Sequence, residues 1–164
     1  MLFLVDSSSW IEFLSDGPLA DRFAPYFERE ERLVVPAIVI YEVYKKLLSA
    51  QGSTAADRFL SAALRARDVP IDERLALLAA RISLDRRLDM ADAMIYATAL
   101  VAGAHVVTAD AHFQGLPETI VFRAKPWPFT GRNSAPLWIT FQRLGRRTYR
   151  AKPCRASRRG RAWP

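Results

Sequence analysis

The sequence predicts an α/β fold built around a central, mainly parallel sheet, and two observations support this. Short, continuous apolar runs, such as Leu2–Val5 and residues 33–35, have the length and composition of strands that are buried on both faces. Stretches with helical periodicity separate these runs and often come in pairs. That order of elements is typical of proteins in which helices cover a parallel sheet.

The first part of the chain alternates predicted strands and helices with clear boundaries. After the first strand, Ser9 and Glu12 have the spacing of a capping box and predict a helix, which the Asp-Gly-Pro cluster at residues 16–18 ends. A second helical stretch leads to the second strand. Pro36 predicts the opening of a longer helix, because its missing N–H would have no partner in a first turn, and Gly52 ends that helix.

The second part of the chain adds three helices and the remaining strands. Helical patterns cover residues 54–66, 72–87 and 89–102. The last pattern is nearly apolar throughout and therefore predicts a buried helix. The predicted strands of this part are residues 68–71, 105–108 and 119–122.

Charge divides the chain of 164 residues near residue 122. Residues 1–122 hold 12 basic and all 17 acidic side chains, a net charge of −5, whereas residues 123–164 hold the other 12 basic side chains and no acid. We therefore predict one globular domain over residues 1–122, followed by a basic tail that lacks periodicity and is expected to be disordered. The overall charge of +7 reflects that tail and not the domain.

The cellular location is suggested by what the sequence lacks. Cys154 is the single cysteine, so an internal disulfide is excluded. No apolar run reaches the roughly 20 residues needed to cross a bilayer, and the first residues lack the basic flank of a signal peptide. We expect a cytoplasmic protein with no membrane segment.

Four acidic side chains from distant parts of the chain form the predicted active site. Asp6 and Asp110 follow predicted parallel strands, whose carboxyl ends share the edge of a sheet where ligands bind. Glu42 and Asp92 lie on largely apolar helices, where a carboxylate is unfavourable unless a cation or hydrogen bonds compensate. Such a cluster repels itself and offers hard oxygen ligands, so it predicts a Mg²⁺ site that also suits Mn²⁺.

Each acid taken alone also has a structural explanation. Asp6 has the position of a turn residue, and Asp110 has that of the cap of a short helix. Asp92 is placed in the first turn of a helix that Asp89 caps, where its negative charge interacts favourably with the helix dipole. Glu42 is placed to extend from the helix edge to water. The case for chemistry therefore depends on the four acids together.

Each of the four acids lies in a short motif, and the motifs follow one another in a fixed order: residues 5–8 (Val-Asp-Ser-Ser), 36–43, 91–99 and 107–113. In this order and context, the motifs resemble those of PIN-domain ribonucleases, and among them the VapC-like toxins of type II toxin–antitoxin modules. The resemblance covers residues 1–122. Ser8 and Thr108 match hydroxyl positions close to the acids of the family.

The resemblance implies a three-layer α/β/α fold, a homodimer, and an antitoxin protein that covers and inhibits the site. By position, Asp6 and Asp92 match the principal Mg²⁺ ligands, while Glu42 and Asp110 match the other acids of the cluster. The implied activity is metal-dependent hydrolysis of RNA phosphodiester bonds.

The tail, residues 123–164, lies outside the resemblance and has two interpretations. Its arginines, with Trp127 or Trp138, fit an arm that binds RNA phosphates and stacks on bases. The alternative, which we favour, is an incidental extension, such as a frame-shifted reading of GC-rich sequence. A non-catalytic nucleic-acid-binding protein that uses the tail is the second functional hypothesis. A receiver domain would need a lysine after a late strand, and residues 101–122 hold none.

The sequence allows more than one role for several other residues. His105 is expected to be structural, and His112 is expected to be either structural or an RNA contact. Four aromatic side chains either pack in the core, which we expect for at least half of them, or form a surface for a dimer mate or the antitoxin: Trp10, Phe13, Tyr26 and Phe27. Four basic side chains either lie on solvated helix faces, which we favour, or contact RNA phosphates: Lys45, Lys46, Arg86 and Arg87.

Overall fold

The computed structural model describes residues 1–123, so residues 124–164, which make up the predicted tail after its first residue, lie outside the described residues together with the proposed RNA arm. Within this part, the chain forms four strands and six helices. The strands are β1 (Leu2–Val5), β2 (Leu33–Val34), β3 (Ala104–Thr108) and β4 (Thr119–Val121). The helices are α1 (Ser7–Leu14), α2 (Ala20–Phe27), α3 (Ala37–Gln51), α4 (Ser53–Ala63), α5 (Glu73–Arg86) and α6 (Met90–Ala102).

The four strands form one parallel sheet in the order β2-β1-β3-β4. Leu4 of β1 pairs with Val34 on one side and with Val106 on the other. Leu4 and Val5 are both fully buried. Because successive side chains of a strand point to opposite faces, helices must cover both faces of the sheet. The predicted three-layer α/β/α fold is confirmed.

The strand order places two distant parts of the chain side by side. β1 and β3 are neighbours in the middle of the sheet, although about 100 residues separate them in sequence. Both run in the same direction, so the residues that follow them lie at the same edge. Asp6 extends this pairing by one residue, since its N–H donates to the carbonyl of Val107 over 3.0 Å.

Helix α6 is the buried helix that its apolar sequence predicts. It packs against β1 and β3, and its last residues lead directly into β3. Gly103 ends the helix in the left-handed region, with a φ of 62°, and its N–H donates to carbonyls of the last turn. The buried side chains of α6 are Ala93, Ile95, Tyr96, Ala97, Thr98 and Ala99. This burial fixes the first turn of α6, which carries Asp92, against the edge of the sheet.

The strand predicted at residues 68–71 is wrong. Only the preceding Arg67 pairs with the sheet, as an isolated bridge to Val34. Its N–H donates to the carbonyl of Leu33 over 2.9 Å, and its carbonyl accepts from Val35 over 3.1 Å. Pro70 has no N–H with which to continue such a ladder.

The predicted capping box of Ser9 and Glu12 is also wrong. Asp6 is the N-cap of α1, and its side chain accepts a hydrogen bond from Ser7 N. The Glu12 carboxylate instead turns to the far end of the helix, where its Oε1 accepts from Leu19 N over 2.8 Å. The helix therefore begins earlier than the capping box predicts, directly after β1.

The aromatic residues of α1 and α2 pack against the core, Trp10 as a buried side chain and Phe13, Tyr26 and Phe27 as partly buried ones. Trp10 is 4% exposed, and its ring lies 4.3 Å from that of Phe27 and 5.1 Å from that of Phe59. The rings of Phe13 and Phe27 are 4.4 Å apart.

Among residues 1–123, no helix is both long enough and apolar enough to cross a membrane.

Candidate active site

Asp6 is held in place by four donors at the end of β1. It is 3% exposed, and its Oδ1 accepts from Ser7 N over 2.6 Å and from the Ser7 hydroxyl over 3.3 Å. Its Oδ2 accepts from the hydroxyls of Ser8 and Thr108, the second over 2.9 Å. Hydrogen bonds of this kind fix the direction of the carboxylate.

The end of β3 supplies the second acid. Thr108 is fully buried, and its Oγ1 accepts from Asp110 N over 2.8 Å while donating to Asp6. Asp110 then caps a short 3-10 turn, Ala111–Phe113, by accepting from His112 N over 2.9 Å. Ala109 N donates to the buried hydroxyl of Ser9 over 3.0 Å, which ties the same loop to α1. The loop after β3 is thus fastened to the loop after β1.

Asp92 is the third acid, and it lies in the first turn of α6. Its side chain is 17% exposed. Burial, the charge of Asp6 and the charge of Asp110 together raise the pKa of Asp92 from its usual 3.8 to about 6, and the hydrogen bond with His112 offsets part of that rise. Asp89 occupies the N-cap position of α6, yet its side chain makes no capping hydrogen bond.

Sequence reasoning left the role of His112 open and did not place it in the acidic cluster. Its Nδ1 lies 3.3 Å from Oδ2 of Asp92 and 3.4 Å from Oδ1 of Asp110. The imidazole is 63% exposed, so it forms the solvent side of the cluster. Its position two residues after Asp110, in a turn that Asp110 caps, is the signal that would have placed it there.

Glu42 is the predicted acid that the structure does not join to the others. It is half-buried on α3, in the second turn of that helix. Within residues 1–123, no hydrogen bond or ion pair links its carboxylate to Asp6, Asp92 or Asp110. Its role as the fourth acid therefore stays a prediction.

His105, the other histidine, lies at the opposite end of β3. Its Nε2 contacts Oε2 of Glu118 over 2.6 Å, while its buried Nδ1 has no hydrogen-bond partner in the described part of the chain. This fits the structural role expected for it. The basic side chains proposed as RNA contacts are all exposed: Lys45, Lys46, Arg86 and Arg87.

The donor set of the cluster fits a divalent cation. Asp92, Asp110 and His112 each offer a ligand atom, and these atoms lie within 4.8 Å of one another. Asp6 is close enough for its charge to raise the pKa of Asp92. Carboxylate oxygens are the preferred ligands of Mg²⁺ and Mn²⁺, and a cation would relieve the repulsion that raises this pKa.

Fold and site together define an α/β protein with a carboxylate cluster at the carboxyl edge of a parallel sheet. The family model of the PIN domain matches residues 3–118. The chain therefore belongs to the PIN domain family, as the sequence motifs indicated.

Solved structures of toxin–antitoxin proteins share the fold. A toxin–antitoxin complex from Klebsiella pneumoniae has a chain that is 19% identical, with a TM-score of 0.64, covering 74% of this chain and 98% of that one. VapBC2 from Rickettsia felis, bound to a DNA fragment from its promoter, gives 13% identity and a TM-score of 0.58, covering 75% and 98%.

A third structure with this fold is Mycobacterium tuberculosis VapC20, described as a sarcin–ricin loop cleaving toxin. It is 19% identical, with a TM-score of 0.55, covering 68% of this chain and 92% of that one. At such identities the similarity shows a common fold. The comparison with curated proteins gives no match.

Proposed function

We propose that this protein is a Mg²⁺-dependent ribonuclease and the toxin of a type II toxin–antitoxin module. The observation that carries the proposal is the meeting of Asp6, Asp92 and Asp110 at one edge of the sheet, with the pKa of Asp92 raised to about 6. Perturbed carboxylates in such a place are characteristic of functional sites. Membership of the PIN domain family and the fold of VapC20, a sarcin–ricin loop cleaving toxin, support RNA as the substrate.

The proposed metal ligands are Asp6 and Asp92, with Mg²⁺ as the ion and Mn²⁺ as a substitute. A bound divalent cation supplies Lewis acidity that activates water, and positive charge that neutralises the phosphate oxygens. Ser8 and Thr108 hold the Asp6 carboxylate in one direction, so its orientation is set before any ligand arrives.

Glu42 and Asp110 have the second proposed task. They complete the shell of acids, directly or through water, and position the water that attacks the phosphodiester. Asp110 is suited to this task, because its backbone N–H and its Oδ1 are both fixed by hydrogen bonds, while its side chain stays about one-third exposed. No side-chain nucleophile is needed for hydrolysis by this route.

An antitoxin and a second copy of the chain are the proposed protein partners. The cluster opens to solvent at His112, so a partner that covers this edge would block access to RNA. Large exposed apolar side chains offer surfaces for such partners, since contiguous exposed apolar area often marks interfaces. They include Tyr41, Leu48 and Leu64 around α3 and α4, and Leu77, Leu84 and Met90 on α5 and α6.

Controlled expression in a bacterial host tests this function. We expect growth arrest on induction of the full chain, relief by the neighbouring open reading frame, and normal growth with Asp6→Asn. If Asp6→Asn arrests growth as strongly as the native sequence, toxicity does not arise from the acids. The alternative of a non-catalytic protein acting through its basic tail would then be correct.

A further inference from the structure

The imidazole of His112 faces the same space as two of the acids. Its Nδ1 lies 3.3 Å from Oδ2 of Asp92 and 3.4 Å from Oδ1 of Asp110. The three ligand atoms fall within the 4.8 Å that a single ion can span. The site therefore offers nitrogen as well as oxygen.

We propose that His112 is a nitrogen ligand of the divalent cation and gives the site a preference for transition ions over Mg²⁺. The inference rests on the metal-dependent function proposed above. Mg²⁺ binds through the carboxylates, whereas an imidazole adds affinity for ions such as Co²⁺, which accept nitrogen more readily.

The spacing of these atoms fits a shared ion as well as the long hydrogen bond between His112 and Asp92. An N–H···O hydrogen bond has its usual length between about 2.7 and 3.2 Å, so contacts of 3.3 and 3.4 Å are long for one. Adjacent ligand atoms around an octahedral ion lie about 3 Å apart, because each bond is about 2.1 Å long. Nδ1 is nearly equidistant from the two oxygens, as a corner of a coordination shell would be.

The backbone holds the imidazole in this place. His112 N donates to Oδ1 of Asp110 over 2.9 Å, within the short turn that Asp110 caps. Phe113, the next residue, is fully buried and anchors the end of that turn in the core. The position of the ring therefore follows from the fold of the loop after β3.

The competing role for His112 is that of an internal cation that pairs with the two carboxylates. In that role the imidazole would occupy the space that the metal needs, and its removal would tighten metal binding. As a ligand, its removal would weaken binding. The two roles thus predict opposite changes in metal affinity.

Metal titration of the full chain, purified without a histidine tag, separates them. The native chain, His112→Gln and His105→Gln are titrated with Co²⁺ and with Mg²⁺ in a calorimeter after treatment with a chelator. His105→Gln is the matched control, since His105 is the one other histidine of the sequence and lies at the opposite end of β3. Pulsed electron paramagnetic resonance of bound Mn²⁺ then detects any directly coordinated imidazole nitrogen.

We expect His112→Gln to lower Co²⁺ affinity about tenfold or more, while changing Mg²⁺ affinity much less. A nitrogen coupling to Mn²⁺ should be present in the native chain and in His105→Gln, and absent in His112→Gln. Two results would contradict the role of His112 without contradicting the metal-dependent function. They are Mn²⁺ binding without nitrogen coupling in the native chain, and a Co²⁺ affinity that is unchanged or raised in His112→Gln. Failure of the native chain to bind any of the three ions overturns the proposed metal-dependent function as well.

Discussion

The hydroxyl of Thr108 donates to Oδ2 of Asp6 over 2.9 Å, across 102 positions of sequence. The Thr108 hydroxyl oxygen also accepts a hydrogen bond from Asp110 N over 2.8 Å. One buried threonine at the end of β3 therefore orients the acid that follows β1 and the acid that follows its own strand. Both strands must be paired in register for this contact to form, so the geometry of the site depends directly on the sheet.

Thr108→Val should destabilise the protein by about 1 to 3 kcal/mol, because it removes a hydrogen bond to a buried carboxylate and the acceptor of Asp110 N. Urea unfolding measures the change. Thr108→Ser keeps the hydroxyl and should recover most of the stability and of the RNA cleavage. If Thr108→Val matches Thr108→Ser in both respects, the hydroxyl does not orient Asp6.

Asp92→Asn should stabilise the metal-free protein at neutral pH. The pKa of Asp92 is raised to about 6 in the folded protein, so the folded state binds the proton more tightly than the unfolded state. Its contribution to stability is therefore full below pH 4 and is lost as pH rises through 6. Asparagine stays neutral at every pH, so the variant does not lose this contribution to stability as pH rises.

The expected gain for Asp92→Asn is about 1 to 2 kcal/mol at pH 7, after allowance for solvent screening of a half-buried group, and close to zero at pH 4. Urea unfolding with a chelator present, at intervals between pH 4 and pH 7, measures it. A difference between the two proteins that does not change with pH would show that the pKa of Asp92 is not raised in the folded protein.

Glu42→Gln should lower RNA cleavage about a hundredfold, the usual effect of losing a group that positions or deprotonates water. Its stability should stay close to that of the native chain, since no described hydrogen bond or ion pair depends on its carboxylate. Glu31→Gln, at an exposed acid before β2, is the control. Equal cleavage by both variants would remove Glu42 from the site.

A chain that ends at Phe122 should fold and cleave RNA at physiological salt. Phe122 itself must stay, because its N–H donates to the carbonyl of Thr108 over 2.8 Å and its ring packs 5.4 Å from that of Phe23. If the tail binds RNA, each phosphate that it neutralises should add roughly 0.7 to the slope of log affinity against log salt, and the shortened chain should show a flatter slope. A shortened chain that folds and binds Mg²⁺ yet leaves RNA intact would make the tail part of the enzyme.

Sequence patterns were sufficient to predict the parallel sheet, the buried helix and the edge at which Asp6 and Asp110 meet. The apolar run before each acid predicted a parallel strand, and parallel strands bring their ends together. The nearly continuous apolar surface of residues 89–102 likewise predicted the helix that carries Asp92. These features could be predicted because buried strands and helices have continuous apolar runs, which can be read directly in a sequence.

The features that sequence patterns missed depend on competition between equivalent local choices. Ser9 with Glu12 has the spacing of a capping box, but Asp6, which directly follows the pairing of β1 with β3, caps α1. The strand predicted at residues 68–71 does not form because pairing stops at Arg67. The contact of His112 with Asp92 and Asp110 depends on a turn of three residues, which no periodicity can indicate.

Cleavage of RNA by the full chain, by Asp92→Asn and by Asp89→Asn shows whether the acids form a metal-dependent site. Asp89 and Asp92 carry the same charge at the same end of α6, but Asp89 is exposed and makes no capping hydrogen bond. We expect Mg²⁺-dependent cleavage, abolished by a chelator, from the native chain and from Asp89→Asn, and a loss of at least a hundredfold in Asp92→Asn. Full cleavage by Asp92→Asn at saturating Mg²⁺, or cleavage by the native chain in the presence of the chelator, would contradict a metal-dependent site built on these acids.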